Sequence, residues 1–111
     1  MRVAVNQEGA VTLVRPTGPL ITGELDEMDQ QLLQLFNQWT KRLIVNMSQV
    51  AFVDSAGLEL LVCHQRQFDS HGLIIKLCSI TETTQKILTL TRLLRRFDTY
   101  PDTTTAIRSF L

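Results

Sequence analysis

Val50-Ala51-Phe52-Val53-Asp54-Ser55-Ala56-Gly57-Leu58-Glu59-Leu60-Leu61 is the stretch that decides how this chain is read. An apolar run meets an Asp-Ser pair, a small residue and a glycine follow, and apolar residues then recur at helical spacing. That order puts a carboxylate and a hydroxyl at the tip of a helix just after a buried strand. A helix N-terminus carries unpaired N–H groups and partial positive charge, so it accommodates an anion. A phosphoryl group on Ser55 would lie against those donors, and the segment reads as a switch. The spacing leaves a plainer role open, because Asp54 and Ser55 are both favoured helix caps. Gly57 is open in the same way: it admits close approach of a partner, or it relieves crowding against a sheet.

Working outward, Leu43, Ile44 and Val45 stand in a row within Arg42–Met47, as in a central strand buried on both faces. Upstream, Met1–Val5 and Val11–Arg15 flank Asn6-Gln7-Glu8-Gly9 and read as a hairpin. Pro16, Gly18 and Pro19 stop the second strand. From Glu24 to Thr40, Leu25, Met28, Leu32, Leu35, Phe36 and Trp39 recur at steps of three, four and seven. They make an amphipathic helix, with Thr22 as its expected cap and Trp39 packing it onto the sheet. Downstream of Asp54, Leu58, Leu61, Val62, Gln65 and Phe68 nearly keep the helical step, and Gly72 ends that helix. Leu73–Leu77 reads as another buried strand. A third helix capped by Thr81 or Thr83 runs through Ile87 and Leu88 to Thr91 or Leu94. Thr99-Tyr100 reads as an edge strand halted by Pro101, and Thr103–Phe110 as a closing helix. Alternating strands and helices after a hairpin predict an α/β fold. The expectation is a mixed central sheet of four to five strands with about four helices, packed mainly on one face.

The length of 111 residues suits one domain, 1–111, with a genuine core. Eleven basic and eleven acidic side chains cancel, so no field draws the chain to nucleic acid. No apolar run approaches the ~20 residues needed to cross a bilayer, and the N-terminus lacks the apolar region of a secretory signal. Membrane insertion and direct nucleic-acid binding are therefore not expected. Cys63 and Cys78 read as two reduced, core-lining thiols of a cytoplasmic protein. His64 and His71, seven apart on one helix, read as solvated or capping residues rather than metal ligands. Arg92, Arg95 and Arg96 read as complements to the C-terminal dipole of the third helix. No metal, cofactor or catalytic residue is expected.

The segment Asp54-Ser55-Ala56-Gly57-Leu58, in this order of elements, resembles the STAS domain family, named for sulfate transporters and anti-sigma factor antagonists. Thr17-Gly18-Pro19-Leu20, Leu43-Ile44-Val45-Asn46-Met47, Ile74-Ile75-Lys76-Leu77 and the helix from Thr83 also match, so the resemblance covers nearly the whole chain. It implies a non-enzymatic protein-binding module of the anti-sigma factor antagonist type in a bacterial partner-switching pathway. It also implies Ser55 as the residue that a partner kinase phosphorylates. Partner-binding positions carried over by the resemblance are Asp54, Ser55, Ala56, Gly57 and Leu58, with Gly18, Leu20 and Ile21 from the preceding loop. The implied partner is a serine-kinase-type anti-sigma factor with a histidine-kinase-like ATPase fold, and a homodimer is compatible with the pattern.

One departure stands out. Antagonist members often carry an acidic residue where this chain has Ile21. With Pro19 and Leu20, Ile21 instead suggests an apolar surface beside Ser55, or a side chain tucked under the first helix. An alternative within the fold is a small STAS subunit docking on the ATPase of an ABC phospholipid transporter, with Ser55 as a contact. A receiver domain is disfavoured, since no acidic pair follows the first strand. A serine hydrolase is disfavoured too, because Val53 and Gly57 flank the site without the glycine pattern of a nucleophile elbow.

Overall fold

A computed structural model describes the whole chain, Met1–Leu111. Strand β1 (Arg2–Glu8) turns back into β2 (Val11–Thr17), followed by α1 (Asp26–Asn37), β3 (Arg42–Asn46) and α2 (Ser55–Ser70). Then come β4 (Ile74–Cys78), α3 (Glu82–Leu90), a 3₁₀ turn (Leu94–Arg96), β5 (Asp98–Tyr100) and α4 (Thr103–Arg108). The five strands lie in the order β1-β2-β3-β4-β5, so each pairs with its neighbour in sequence. The β1–β2 pair is antiparallel and the other three pairs are parallel. The expected mixed sheet is thus present, with five strands and four helices.

Side chains alternate across the sheet with period two. Leu43, Val45, Ile75 and Leu77 enter the large cluster on the face covered by α1, α2 and α3, with Met28, Leu32, Leu61, Phe68 and Leu88. Ile44 and Cys78 point the other way, into a smaller cluster with Val11 and Ala106 under α4. This division explains why β3 reads as a continuous apolar run: both of its faces are covered. Three helices share one face and α4 alone covers part of the other. Beneath α4, Lys76 is buried, its Nζ donating to Ser109 Oγ at 2.8 Å and lying 4.1 Å from the centre of the Phe110 ring.

Helices α1, α2 and α3 end alike. Each has a left-handed residue just beyond its cap: Trp39 (φ 57°), Gly72 (φ 73°) and Arg92 (φ 60°). The N–H of the next residue reaches back to a carbonyl five positions earlier: Thr40 to Leu35, Leu73 to Phe68, and Leu93 to Leu88. These are the bonds of the Schellman motif, which satisfy carbonyls left open by the helix end. Gly72 alone of the three carries a sequence signal for that backbone.

Several expectations are corrected here. The first helix runs Asp26–Asn37, shorter than Glu24–Thr40, and Thr22 does not cap it; Leu25 stands at that position without a side-chain bond. Trp39 does not pack α1 onto the sheet. Its left-handed backbone turns it outward, 64% exposed, with its ring near His71, while Phe36 makes the inward contact with Phe68. Cys63 is exposed, and Cys78 alone is a core thiol. His64 is not solvated: it is buried between α2 and α1, with Nε2 2.7 Å from Asp29 Oδ1. Arg95 and Arg96 lie on the 3₁₀ turn beyond the end of α3, because the reversal at Arg92 terminates that helix first.

Candidate functional site

No regular strand precedes Asp54. Strand β3 ends at Asn46, and Met47–Asp54 turns at Ser48-Gln49 and crosses the end of the sheet as a loop. One isolated parallel bridge, Leu20 to Val53, ties it to the loop after β2. Val50 and Val53 are buried while Ala51 and Phe52 face out, because a loop crossing a sheet end has only one side to bury. The hydrogen bonds Gly18 N to Gln49 O, Leu20 N to Phe52 O, and Asp54 N to Leu20 O (3.0, 3.0 and 3.1 Å) bind the two loops into one platform.

Asp54 organises the tip of α2 from this platform. It is the N-cap, with extended backbone, and its Oδ1 accepts from Gly57 N at 2.9 Å. Its Oδ2 accepts from both the backbone N–H of Thr22 (2.9 Å) and the Thr22 hydroxyl (3.1 Å). Thr22 therefore fastens the β2–α1 loop to α2 instead of capping α1. The hydrogen bond from the Thr22 backbone, with that from Gly57, holds the Asp54 carboxyl below its ordinary pKa of 3.8. The carboxylate is an anion held in place by donors.

The competition between Asp54 and Ser55 for the cap is thereby decided. Ser55 is the first helical residue and is exposed, its hydroxyl not needed to close the helix. The Gly57 N–H is taken by Asp54, so Ser55 stands beside a fixed negative charge.

The other carried-over positions divide by depth. Ala56 and Ile21 are half-buried, and Gly18, at φ 116°, turns the β2–α1 loop. Leu20, Gly57 and Leu58 are buried, so they shape the platform from beneath. The apolar surface expected at Pro19-Leu20-Ile21 is therefore not continuous, because the Leu20 side chain turns into the core. Phe52 carries no signal of its own in the sequence. It is 48% exposed on the loop three residues before Ser55. In sequence it is indistinguishable from the middle of a buried strand; the exposed side of the loop exists only once the chain is folded.

Gly57 has a structural reason to be glycine. A β-carbon there would fall inside contact distance of the Leu20 carbonyl oxygen and 2.9 Å from Val53 Cγ1. The close approach it permits is of α2 to the Leu20–Val53 bridge. No group of three or more His, Cys, Asp or Glu side chains is placed to hold a metal ion, and no helix is long and apolar enough to cross a membrane.

The depressed Asp54 carboxyl predicts the behaviour of this site in acid. Because its native pKa lies below the unfolded value, the unfolded chain takes up the proton first as pH falls. The stabilisation is complete above the unfolded value and is lost as pH falls through the native one. Asp102, which caps α4 through Thr105 N and is lowered by that bond, adds to the same effect. The thermal midpoint is expected to be level from neutral pH to about pH 5 and to decline below about pH 4. Asp54→Asn keeps a cap-forming side chain but not the titration, and should show a shallower decline in melts across that range.

Comparisons with known proteins bear on the family and the fold. A family model described as the STAS domain matches residues 2–106. No protein of curated function matches the chain in sequence. Among solved structures, the Thermotoga maritima protein TM1081 superposes with a TM-score of 0.90 at 20% identity, covering 96% of this chain and 92% of that one. An anti-sigma factor antagonist from Mycobacterium paratuberculosis gives 0.84 at 20% identity, with 97% and 92% covered. The Bacillus cell fate determinant SpoIIAA in its phosphorylated form gives 0.74 at 16% identity, with 99% and 100% covered. At such identities the structural likeness establishes the fold alone. The family match spans nearly the full length of the sequence, and the chain belongs to the STAS domain family.

Proposed function

We propose that this protein is a non-enzymatic, protein-binding regulator of the anti-sigma factor antagonist type, which binds a serine-kinase-type anti-sigma factor and is released when Ser55 is phosphorylated. The observation that carries the reading is the division of labour at the tip of α2. Asp54 holds the helix and the neighbouring loop, and Ser55 beside it is exposed with its hydroxyl unused by the cap. A kinase can reach that hydroxyl without unfolding anything. Adding about −1.5 to −2 charge next to ionised Asp54 alters a docking surface by repulsion and desolvation while the platform beneath stays intact. Exposed Phe52 and half-buried Ile21 offer apolar contact around the charge-sensitive centre, the usual anatomy of a protein interface. A cytoplasmic setting follows from such a partner.

The test is affinity capture from a lysate of the source organism with the purified chain as bait, followed by mass spectrometry. Recovery of an ATPase of the histidine-kinase-like fold that transfers phosphate from ATP to Ser55 is the expected result. Recovery of an ABC transporter ATPase with its permease would overturn the proposal and make Ser55 a docking contact. The Ile21 position, where an acidic residue would favour the kinase, makes that contrast worth resolving first.

A further inference from the structure

The two edges of the sheet are not protected alike. Strand β5 has three residues and runs directly into Pro101, both common devices against unwanted strand pairing. Strand β1 has seven residues, Arg2-Val3-Ala4-Val5-Asn6-Gln7-Glu8, with no proline and no lysine, and it lies at the other end of the strand order. Its pairing with β2 is regular from Arg2–Thr17 to Glu8–Val11, one partner for each residue, with no bulge to twist it away.

The register shows which backbone groups this edge offers. The connection is the two-residue turn Gly9-Ala10, with Gly9 at φ 61°, and in such hairpins the flanking pair, here Glu8 and Val11, exchanges hydrogen bonds. Antiparallel pairs alternate, so Glu8, Asn6, Ala4 and Arg2 turn their N–H and C=O toward β2. Val3, Val5 and Gln7 turn theirs outward.

We infer that β1 is a self-pairing edge, and that two copies of this chain associate through antiparallel β1–β1 contact centred on Val5 into one continuous sheet. A two-fold axis at Val5 sets Val5 against Val5 and Val3 against Gln7 of the second copy. All are residues whose backbone groups face outward, and the pairing makes about six backbone hydrogen bonds. The same register sets Arg2 against Glu8 of the second copy and Ala4 against Asn6. Arg2 and Glu8 are exposed and share the sheet face opposite the large core, where cross-strand neighbours are close enough for opposite charges to attract. Each dimer gains that ion pair twice, once at each end of the strand. On the other face, Val5 remains 37% exposed in the single chain despite its partner Val14 being fully buried, and Val5–Val5 contact covers it. The backbone excludes a shift by one residue, which would face inward-turned groups against outward-turned ones, and among the even shifts the charge pattern selects this register, because only here does Arg2 oppose Glu8. An interface one strand wide is small for a specific complex, so the association is expected in the micromolar range. It uses none of the residues at the tip of α2, and its test is independent of the proposed regulatory partner.

Sedimentation velocity over a concentration series of the purified chain reads the outcome. The wild-type chain should pass from monomer to dimer as concentration rises. Arg2→Glu, which places like charges opposite one another twice, should weaken the dimer by about tenfold. Arg2→Glu combined with Glu8→Arg should restore it, since the exchanged charges again match across the axis. Circular dichroism of each variant checks that the fold is retained. A monomer at every concentration overturns the inference. So does a dimer indifferent to Arg2→Glu, or one that the double exchange fails to rescue, because the contact would then lie elsewhere.

Discussion

Replacing Gly57 by valine is expected to lower the stability of the fold by about 2–3 kcal/mol, an overpacking cost with no side-chain rotamer to absorb it. For a domain of this size that corresponds to a fall of roughly 9–13 °C in the thermal midpoint. The cause is specific. The added β-carbon meets the backbone of Leu20, which cannot rotate aside as a flexible side chain would. Moving Leu20 away breaks its bridge to Val53 and the hydrogen bond its carbonyl accepts from Asp54 N. The loop carrying Thr22 would then lose its registration with Asp54, so partner binding should fall together with stability. Gly57→Ala presents the same β-carbon and should show a smaller loss of the same sign. Thermal and denaturant melts decide the matter: an unchanged midpoint for both variants would mean that the two loops separate freely, and the platform would not be the rigid unit described.

Ser55→Asp should behave in the opposite manner, leaving stability nearly constant and changing binding. The residue is exposed at the first turn of α2, where a carboxylate gains from the helix dipole and loses by proximity to Asp54. In a docked complex the same charge is pressed against the partner surface without water to screen it. Affinity for the kinase-fold ATPase proposed as partner is expected to drop at least about tenfold, since like-charge or unpaired charge at an interface costs several times the thermal energy. Titration calorimetry of wild type and variant against that partner measures it. Equal affinities, with both proteins folded, would remove Ser55 from the switch. Together the two substitutions separate the support of the site from its working surface: Gly57 should move stability and binding, Ser55 binding alone.

Much of the fold was legible in the sequence because its determinants are local. The apolar runs of β3 and β4, the helical spacing after Asp54, Gly72 at the end of α2 and Pro101 beyond β5 all act through the geometry of a few consecutive residues. Even the Asp-Ser pair announced a helix tip. The errors fall where local rules allow two outcomes. Val50–Val53 is apolar enough for a strand, but no neighbour is present to pair along its whole length, so it became a loop with Phe52 outside. Trp39 fits the apolar stripe of α1 by count, yet the helix closes two residues earlier and leaves it exposed.

By itself, the sequence determined the order of strands and helices, the two-sided burial of β3 and the place where a carboxylate and a hydroxyl meet a helix start. Only the tertiary structure decided which of the two caps the helix, that Thr22 reaches Asp54 across 32 residues of chain, and that Gly57 lies against the carbonyl of Leu20. The physical reason is one of range. Backbone propensity and hydrophobic period act over a turn or two, whereas a hydrogen bond between distant loops exists only after the sheet has brought its strand ends together.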